Sequence, residues 1–140
     1  MSFLLHKILN CGISVWVLFS PVFIERMKLV SRGKPLDSTK NIFTCDDRTI
    51  YCWVLLSKPA FRTRVRFEWK AISVEGINPE KTLMVSEYTT KLMQRFARGG
   101  FHCRRKWSEG KYSVATYLNG VRARAMDYEI VNPELADSLR

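Results

Sequence analysis

Polar and apolar residues alternate most regularly between Phe61 and Ile72. Charged side chains take one set of alternate positions, namely Arg62, Arg64, Arg66, Glu68 and Lys70, and the other set is Thr63, Val65, Phe67, Trp69 and Ala71. Because side chains of a β-strand point to opposite faces with a period of two, this segment predicts a strand with one charged, wet face and one buried face. A strand exposed on one side is typical of an antiparallel sheet.

Asn119 and Gly120 join two further segments with strand character, residues 111–118 and 121–131. The Asn-Gly pair is a strong sequence signal for a two-residue hairpin, because both turn residues need a positive φ. Shorter strands separated by turn residues are predicted at 41–45, 49–56, 82–88 and 101–107. This series of short strands, without an internal repeat, predicts an all-β fold and an antiparallel β-sandwich.

One segment has helical spacing. Tyr88, Leu92, Met93 and Phe96 follow the i, i+4, i+5, i+8 pattern of a short helix, and Gly99-Gly100 would terminate it. We therefore expect one short helix near residues 87–98.

The N-terminal region contains an apolar run from Ile8 to Ile24, which is near the lower limit of about 17 residues for a membrane-spanning helix. His6 and Lys7 precede it, as in a secretory signal, but no small-x-small cleavage site follows. The pattern predicts an uncleaved signal-anchor helix that contacts the membrane through residues 8–24. The expected organisation is an anchor segment over 1–27, a linker over 28–41, a β-sandwich over 42–132 and a tail over 133–140.

The composition indicates a folded and basic protein. Of the 140 residues, 46% are hydrophobic, which excludes general disorder. Lysine and arginine total 23 against 13 acidic residues, and the formal net charge is +10. Such a charge favours acidic partners: nucleic acid, anionic lipid or an acidic protein surface.

The basic residues fall on predicted outward strand positions. If their strands are neighbours, they form one cationic sheet face, for which the partner-binding candidates are Arg62, Arg64, Arg66, Arg104, Lys106, Arg122 and Arg124, with His102 beside them. Arginine suits phosphate or carboxylate ligands, and single-stranded nucleic acid would also need aromatic residues such as Tyr51 or Tyr117. The alternative is that these charges only keep exposed strands soluble and discourage edge-to-edge association.

Three cysteines lie in the predicted sandwich: Cys45, Cys52 and Cys103. They allow three single disulfide pairings, among which the sequence does not choose, and one bond would stabilise the fold by about 2–4 kcal/mol. Buried, reduced thiols are the alternative. His102 and Cys103 are adjacent and would face opposite ways on a strand, so no metal site is expected. With only two histidines and no nucleophile–base pattern, we expect no cofactor, no catalytic residues and no enzyme activity.

Four features follow one another in the second half of the chain. They are a central strand with Trp69, the Gly110-Lys111-Tyr112-Ser113-Val114 strand, the Asn119-Gly120 turn, and a last strand that ends in Tyr128-Glu129-Ile130-Val131. This order resembles bacterial immunoglobulin-like domains over residues 42 to 131. The resemblance implies an immunoglobulin-like antiparallel β-sandwich and informs fold rather than function. The chain departs from disulfide-bonded members, because the 110–114 strand has no cysteine.

These observations lead to two functional hypotheses. The first is a non-enzymatic, membrane-anchored or exported module that binds a protein partner in a bacterial envelope assembly, through its cationic sheet face or an exposed edge strand. The second is a membrane-associated or cytoplasmic protein that binds nucleic acid through the same basic face.

The sequence gives two opposing indications of membrane sidedness. Basic residues after the apolar run favour a cytoplasmic domain: Arg26, Lys28, Arg32 and Lys34. A disulfide, and an all-β domain behind an apolar segment, favour the periplasm or the extracellular space. We expect export. The partner's identity and the oligomeric state are left open.

Overall fold

The computed structural model describes residues 21–32 and 41–134. They form eight strands: β1 (Ile24–Ser31), β2 (Ile42–Thr44), β3 (Thr49–Leu56), β4 (Arg64–Val74), β5 (Thr82–Thr89), β6 (Phe96–His102), β7 (Gly110–Leu118) and β8 (Val121–Val131). One sheet has the order β1-β3-β6 and the other the order β2-β8-β7-β4-β5. Neighbouring strands are antiparallel, except that β2 runs parallel to β8. The prediction of an all-β protein is thereby confirmed.

The core lies between the two sheets and follows the predicted alternation. On β4 the side chains of Val65, Phe67, Trp69 and Ala71 are fully buried, and the charged residues between them face outward. On β3 the buried positions are Ile50, Cys52, Val54 and Leu56. The two-residue turn at Asn119 and Gly120, both with positive φ, joins β7 to β8 as predicted.

The topology has the features of an immunoglobulin-like sandwich. Strands β1, β3 and β6 correspond to A, B and E, and β4, β7 and β8 to C, F and G, with a buried tryptophan, Trp69, on the C strand. The Tyr112 hydroxyl near the start of β7 donates a hydrogen bond to the Ser108 carbonyl at 2.6 Å, which is the geometry of a tyrosine corner. Val114 stands two residues later, where disulfide-bonded domains have the cysteine that pairs with the B strand.

Replacing Tyr112 by phenylalanine is expected to lower the free energy of unfolding by about 1 kcal/mol, because the hydrogen bond to Ser108 is lost while the ring is kept. Urea denaturation measures this change. Tyr117→Phe, at a half-exposed position of the same strand, is the matched control and should change stability less. Equal effects of the two substitutions would contradict the role of the corner.

The predicted helix near 87–98 is wrong. Strand β5 extends to Thr89, a turn follows, and β6 begins at Phe96 and pairs with β3. The large apolar residues that suggested a helix, Leu92, Met93 and Phe96, are exposed. Two of the inward positions of β6 are instead taken by small residues, Ala97 and Gly99, and the third by Phe101. The strand predicted at 101–107 is also displaced, because β6 ends at His102.

The predicted start of the folded part at residue 42 is too late. Strand β1 begins at Ile24 and pairs with β3, although the apolar run and the turn-rich sequence after it suggested an anchor and a linker there. The buried Met27 and Leu29 alternate with the exposed Arg26 and Lys28, and Ile24 lies inward before an irregularity at residue 25, so this segment closes one side of the core. Residues 1–20, which include most of the predicted anchor helix, lie outside the described residues. Within 21–32 and 41–134, no helix is long and apolar enough to span a membrane.

Candidate functional site

Three of the predicted binding residues share the outer face of the five-stranded sheet. Arg64 and Arg66 lie on β4. One row across the sheet runs from Arg66 on β4 through Tyr117 on β7 to Arg122 on β8. The Arg66 guanidinium lies 4.3 Å above the Tyr117 ring. These strands therefore bring a cation–π pair and a second arginine together.

Acidic residues interrupt this outer face. Glu68 lies 3.8 Å from Arg66, Glu87 is opposite Arg66 on β5, and Asp127 occupies an outward position on β8. Exposed pairs of this kind contribute little stability, but they offset the positive charge that would attract an anionic ligand. The outer face of this sheet has mixed charge.

The prediction that all seven basic residues form one cationic face is wrong. Strand β6 belongs to the other sheet, because it pairs with β3 and not with β4 or β8. Arg104 and Lys106 lie in the loop after β6, where Lys106 forms an ion pair with Asp46 at 3.2 Å. Arg62 lies in the loop before β4.

The structure instead collects basic and aromatic side chains on the outer face of the three-stranded sheet. One row of register partners across β1, β3 and β6 consists of Lys28, Trp53 and Arg98. The next row outward on the same strands consists of Arg26, Leu55 and Phe96. We call the surface formed by its basic and aromatic members the cationic–aromatic face: Arg26, Lys28, Tyr51, Trp53, Phe96 and Arg98.

Arg98 is at the centre of the cationic–aromatic face. Its guanidinium carbon lies 4.7 Å from the centre of the Tyr51 ring and 5.2 Å from that of Trp53. Gly100 is opposite Tyr51, and a Cβ atom there would come within 2.9 Å of the tyrosine ring. The absence of a side chain at Gly100 thus lets the ring lie across β6, where Arg98 covers it.

A hollow of about 550 Å³ adjoins Trp53 on this face. Arg26, Lys28, Leu55 and Phe96 line it, and Arg124 completes its wall from β8, which β1 contacts. Of the predicted binding residues, Arg124 alone therefore reaches this face.

Basic side chains outnumber carboxylates among the described residues that line the hollow. Glu25 also lines it, but Glu25 binds the Arg95 guanidinium at 2.8 Å. In the described part of the chain, no carboxylate forms an ion pair with Arg26, Lys28, Arg98 or Arg124. The arrangement can therefore bind a ligand that has negative charge and planar rings.

The three cysteines are free thiols in the structure. The backbone N–H of Cys103 donates a hydrogen bond to the carbonyl of Arg48, so Cys103 lies beside Arg48. Cys52 follows Arg48 by four residues, and four residues of extended chain span about 13 Å. A disulfide needs Cα atoms within about 7 Å, so Cys52 and Cys103 cannot pair. Cys45 and Cys103 both approach Tyr112, and each contributes to the raised pKa of its hydroxyl.

The free energy of unfolding is expected to fall as the pH rises above 9. Burial raises the pKa of Cys52 from 9.0 to about 12, so between these values the unfolded thiol is ionised and the folded thiol is not. Protons are then lost on unfolding, and each such group lowers stability by about 1.4 kcal/mol per pH unit. Burial also raises the pKa of Tyr112 to about 12 and that of Tyr128 further still, which extends the loss above pH 10.

Urea denaturation under reducing conditions from pH 8 to 11 measures this slope. The Cys52→Ala variant is expected to be less stable at pH 8 but to show a shallower decline between pH 9 and 10. An unchanged slope in the variant would contradict the assignment to Cys52.

Among residues 21–32 and 41–134, no three His, Cys, Asp or Glu side chains come together as a metal-ligand set.

Comparisons with known proteins relate this chain to others by fold. Neither a protein-family model nor a curated protein matches the sequence. Among solved structures, an immunoglobulin-like protein from Pseudomonas aeruginosa is similar, with a TM-score of 0.52 and 10% identity over 80% of this chain and 98% of that one. The resemblance to immunoglobulin-like domains is therefore confirmed at the level of fold.

Parts of two larger proteins are also similar. One is the alkylpurine DNA glycosylase AlkC from Pseudomonas fluorescens, bound to DNA with an abasic site analogue; the TM-score is 0.50 and the identity 15%, over 82% of this chain and 32% of that one. The other is a family 76 glycoside hydrolase from Bacteroides thetaiotaomicron, with a TM-score of 0.43 and 11% identity over 76% of this chain and 20% of that one. This chain thus spans about a third of the glycosylase and a fifth of the hydrolase.

These comparisons correct the expectation that the chain is not an enzyme. A region of similar fold belongs to a DNA glycosylase, so the fold gives no ground for excluding an enzyme. At these identities the likeness concerns the fold alone and assigns no catalytic residue to this chain.

Proposed function

We propose that the domain binds single-stranded nucleic acid through its cationic–aromatic face. The observation that carries this proposal is the Arg98 guanidinium over the rings of Tyr51 and Trp53. Beside it lie Arg26, Lys28 and Arg124, which form no ion pair with a carboxylate of the described residues. Proteins that bind single strands combine a positively charged groove along the backbone with aromatic side chains on which bases stack.

The dimensions of the surface suit this ligand. Tyr51 and Trp53 are two residues apart on β3, so their rings are separated by about 7 Å along the strand and can each stack one base of an extended chain. Arg26, Lys28 and Arg124 border the hollow and can contact phosphate oxygens. The DNA in the glycosylase structure agrees with this proposal, although the likeness to that protein concerns the fold alone.

Fluorescence anisotropy of a labelled 12-nucleotide DNA or RNA strand, titrated with the full chain, tests the proposal. With Arg98 as a fourth phosphate contact beside Arg26, Lys28 and Arg124, the expected slope of the logarithm of affinity against the logarithm of salt concentration is about −3, or roughly 50-fold weaker binding at about 200 mM than at about 50 mM. A duplex of the same sequence should bind more weakly, because its bases cannot stack on the rings. Equal binding of single strand, duplex and poly-glutamate would contradict the proposal.

A second candidate is a protein partner in an envelope assembly, bound at an edge strand. Strand β5 is an edge of the five-stranded sheet, and Met84 and Val85 on it are 36% and 49% exposed. Exposed apolar edge strands can pair with a strand of another chain. A photocrosslinking residue at Val85 should then form an adduct in cells that the same residue at Ser113, on an inner strand of the sheet, does not form. Identical crosslinks at both sites would exclude strand addition.

For localisation, the proposal is a membrane-anchored protein with its domain in the periplasm or outside the cell, and the alternative is a cytoplasmic domain. A topology reporter fused after Arg140, together with thiol labelling under non-reducing conditions, distinguishes the two. Reporter activity restricted to the cytoplasm would rule out export.

A further inference from the structure

The exposed apolar side chains of this domain concentrate at one end of the sandwich. This end, which we call the apolar end, consists of the start of β1, the β3–β4 loop (57–63), the β5–β6 loop (90–95) and the β7–β8 turn (119–120). Five large apolar side chains there are between 60% and 73% exposed: Phe23, Phe61, Leu92, Met93 and Val121. A cluster of this kind on a folded protein marks an interaction surface.

The charges of the two ends differ as well. The loops of the apolar end contain Lys58, Arg62, Lys91 and Arg95 and no acidic residue. Glu25, at the start of β1, forms an ion pair with Arg95 at 2.8 Å, so basic residues still outnumber acidic ones at this end. The loops of the opposite end (45–48, 75–81 and 103–109) contain as many acidic as basic residues, five of each, and none of the strongly exposed large apolar residues within the described ranges. The apolar end is therefore apolar at its tip and basic around it.

Hydrogen bonds fix the loops that present these side chains. The buried Thr90 hydroxyl accepts the Thr63 N–H at 3.0 Å and donates to the Ala60 carbonyl. The Arg62 N–H also reaches the Thr90 carbonyl at 3.1 Å, and the Ala60 N–H reaches that of Gln94 at 3.3 Å. Phe61, Leu92 and Met93 thus project into solvent from loops that are joined to each other.

The apolar N-terminal sequence joins the sandwich at the same end. The run from Ile8 finishes in Val22, Phe23 and Ile24, and Phe23 is held against the β3–β4 loop by two hydrogen bonds with Ser57, at 3.1 and 2.8 Å. The described chain therefore enters the domain at the apolar end.

We propose that the apolar end rests on an anionic lipid bilayer. Phe61, Leu92 and Met93 enter the interface between headgroups and acyl chains, while Lys58, Arg62 and Lys91 contact lipid phosphates. A second copy of the chain fits this end less well, because a symmetric contact would place the two basic rims against each other. This inference concerns a different surface from the cationic–aromatic face and does not depend on nucleic-acid binding.

The experiment places an environment-sensitive fluorophore on the apolar end of the full chain. Leu92→Cys is labelled with NBD in a Cys11→Ser, Cys45→Ser, Cys103→Ser background, in which Cys52 is buried and unreactive. With anionic vesicles, the NBD emission should shift to shorter wavelength. Lipids brominated at a depth of about 5–10 Å into the headgroup and acyl boundary should quench it. The matched control is Asn78→Cys, on an exposed turn at the opposite end, and its emission should not change.

Two further arms make each outcome decisive. Neutral vesicles, or anionic vesicles with the Lys58→Gln, Arg62→Gln, Lys91→Gln variant, should abolish the shift at Leu92→Cys, since the basic rim provides the charge attraction. The Lys58→Gln, Arg62→Gln, Lys91→Gln variant also separates docking from tethering by the N-terminal sequence, because tethering alone would keep the shift when the basic rim is neutralised. No shift at Leu92→Cys, or equal shifts at both sites, would overturn the proposal. The NBD emission could also lie at short wavelength when no vesicles are present. If that emission depends on protein concentration, the chain self-associates at this end. If it does not, the chain's own N-terminal segment covers this end, and either result would overturn the proposal.

Discussion

Gly99→Val is expected to lower the free energy of unfolding by about 3 kcal/mol, near the upper end for an overpacked core. Gly99 is buried on β6 beneath the Phe67 ring of the opposite sheet. A Cβ atom at this position would lie 2.6 Å from Cγ and 2.8 Å from Cε2 of Phe67, whose side chain is fully buried. The ring would have to move within a packed core, which leaves little room for it.

Urea denaturation measures this loss, and two variants identify its cause. Gly100→Val, at the neighbouring glycine, meets only the half-exposed Tyr51 ring and should cost less than about 1 kcal/mol, because the ring can turn into solvent and valine suits a strand. Adding Phe67→Leu to Gly99→Val should restore part of the lost stability. A Gly99→Val protein as stable as the wild type would show that the sheets are not packed as described.

Trp53→Ala combined with Arg98→Ala is expected to weaken binding of single-stranded nucleic acid by about 100-fold, since each stacked base contributes about 1–3 kcal/mol and one cationic contact is lost as well. Trp53→Ala alone should weaken binding by about 10-fold at constant salt slope, because it removes stacking and no charge. Arg98→Ala alone should reduce the salt slope. Fluorescence anisotropy with the 12-nucleotide strand measures all three variants.

The five-stranded sheet supplies a matched control for this pair. Arg66 and Tyr117 form the same kind of stacked contact, at 4.3 Å, on a face where Glu68 and Glu87 offset the charge. Arg66→Ala with Tyr117→Ala removes one arginine and one ring, as the test variant does, and should change affinity by less than threefold. If both double variants weaken binding equally, net charge rather than the cationic–aromatic face determines it.

The sequence predicted the strands whose two faces differ in polarity. Between Arg62 and Lys70 the alternation of charged and apolar residues identified β4 and its buried face, and Asn119-Gly120 identified the β7–β8 hairpin. These segments were predictable because a period of two and a turn that needs positive φ are local properties of the chain.

The cationic–aromatic face could not be predicted in the same way. From Ile50 to Leu56, β3 is apolar on both faces, so the pattern does not reveal that Tyr51 and Trp53 point outward. The signal that was available lay in β1, where Arg26 and Lys28 alternate with Met27 and Leu29 as an edge strand does. The same basic residues also fit the flank of a membrane anchor, and the apolar run before them favours that interpretation.

The sequence of β6 predicts a helix instead of a strand because two of its three inward residues, Ala97 and Gly99, are small. Ala97 and Gly99 face the core, whereas Phe96 is exposed, so the usual relation between size and burial is reversed. Its pairing with β3 depends on residues about 45 positions away in the sequence and places Arg98 over two rings. No local pattern contains that information.

The most direct test of the central claim is to map the nucleic-acid contact by NMR. The isotope-labelled chain is titrated with the 12-nucleotide strand, and amide chemical-shift changes are followed residue by residue. Binding as proposed predicts the largest changes at residues 26–28, 51–55 and 96–100, with a smaller change at Arg124. Changes centred on residues 64–70 and 115–122, or at the apolar end, would contradict it.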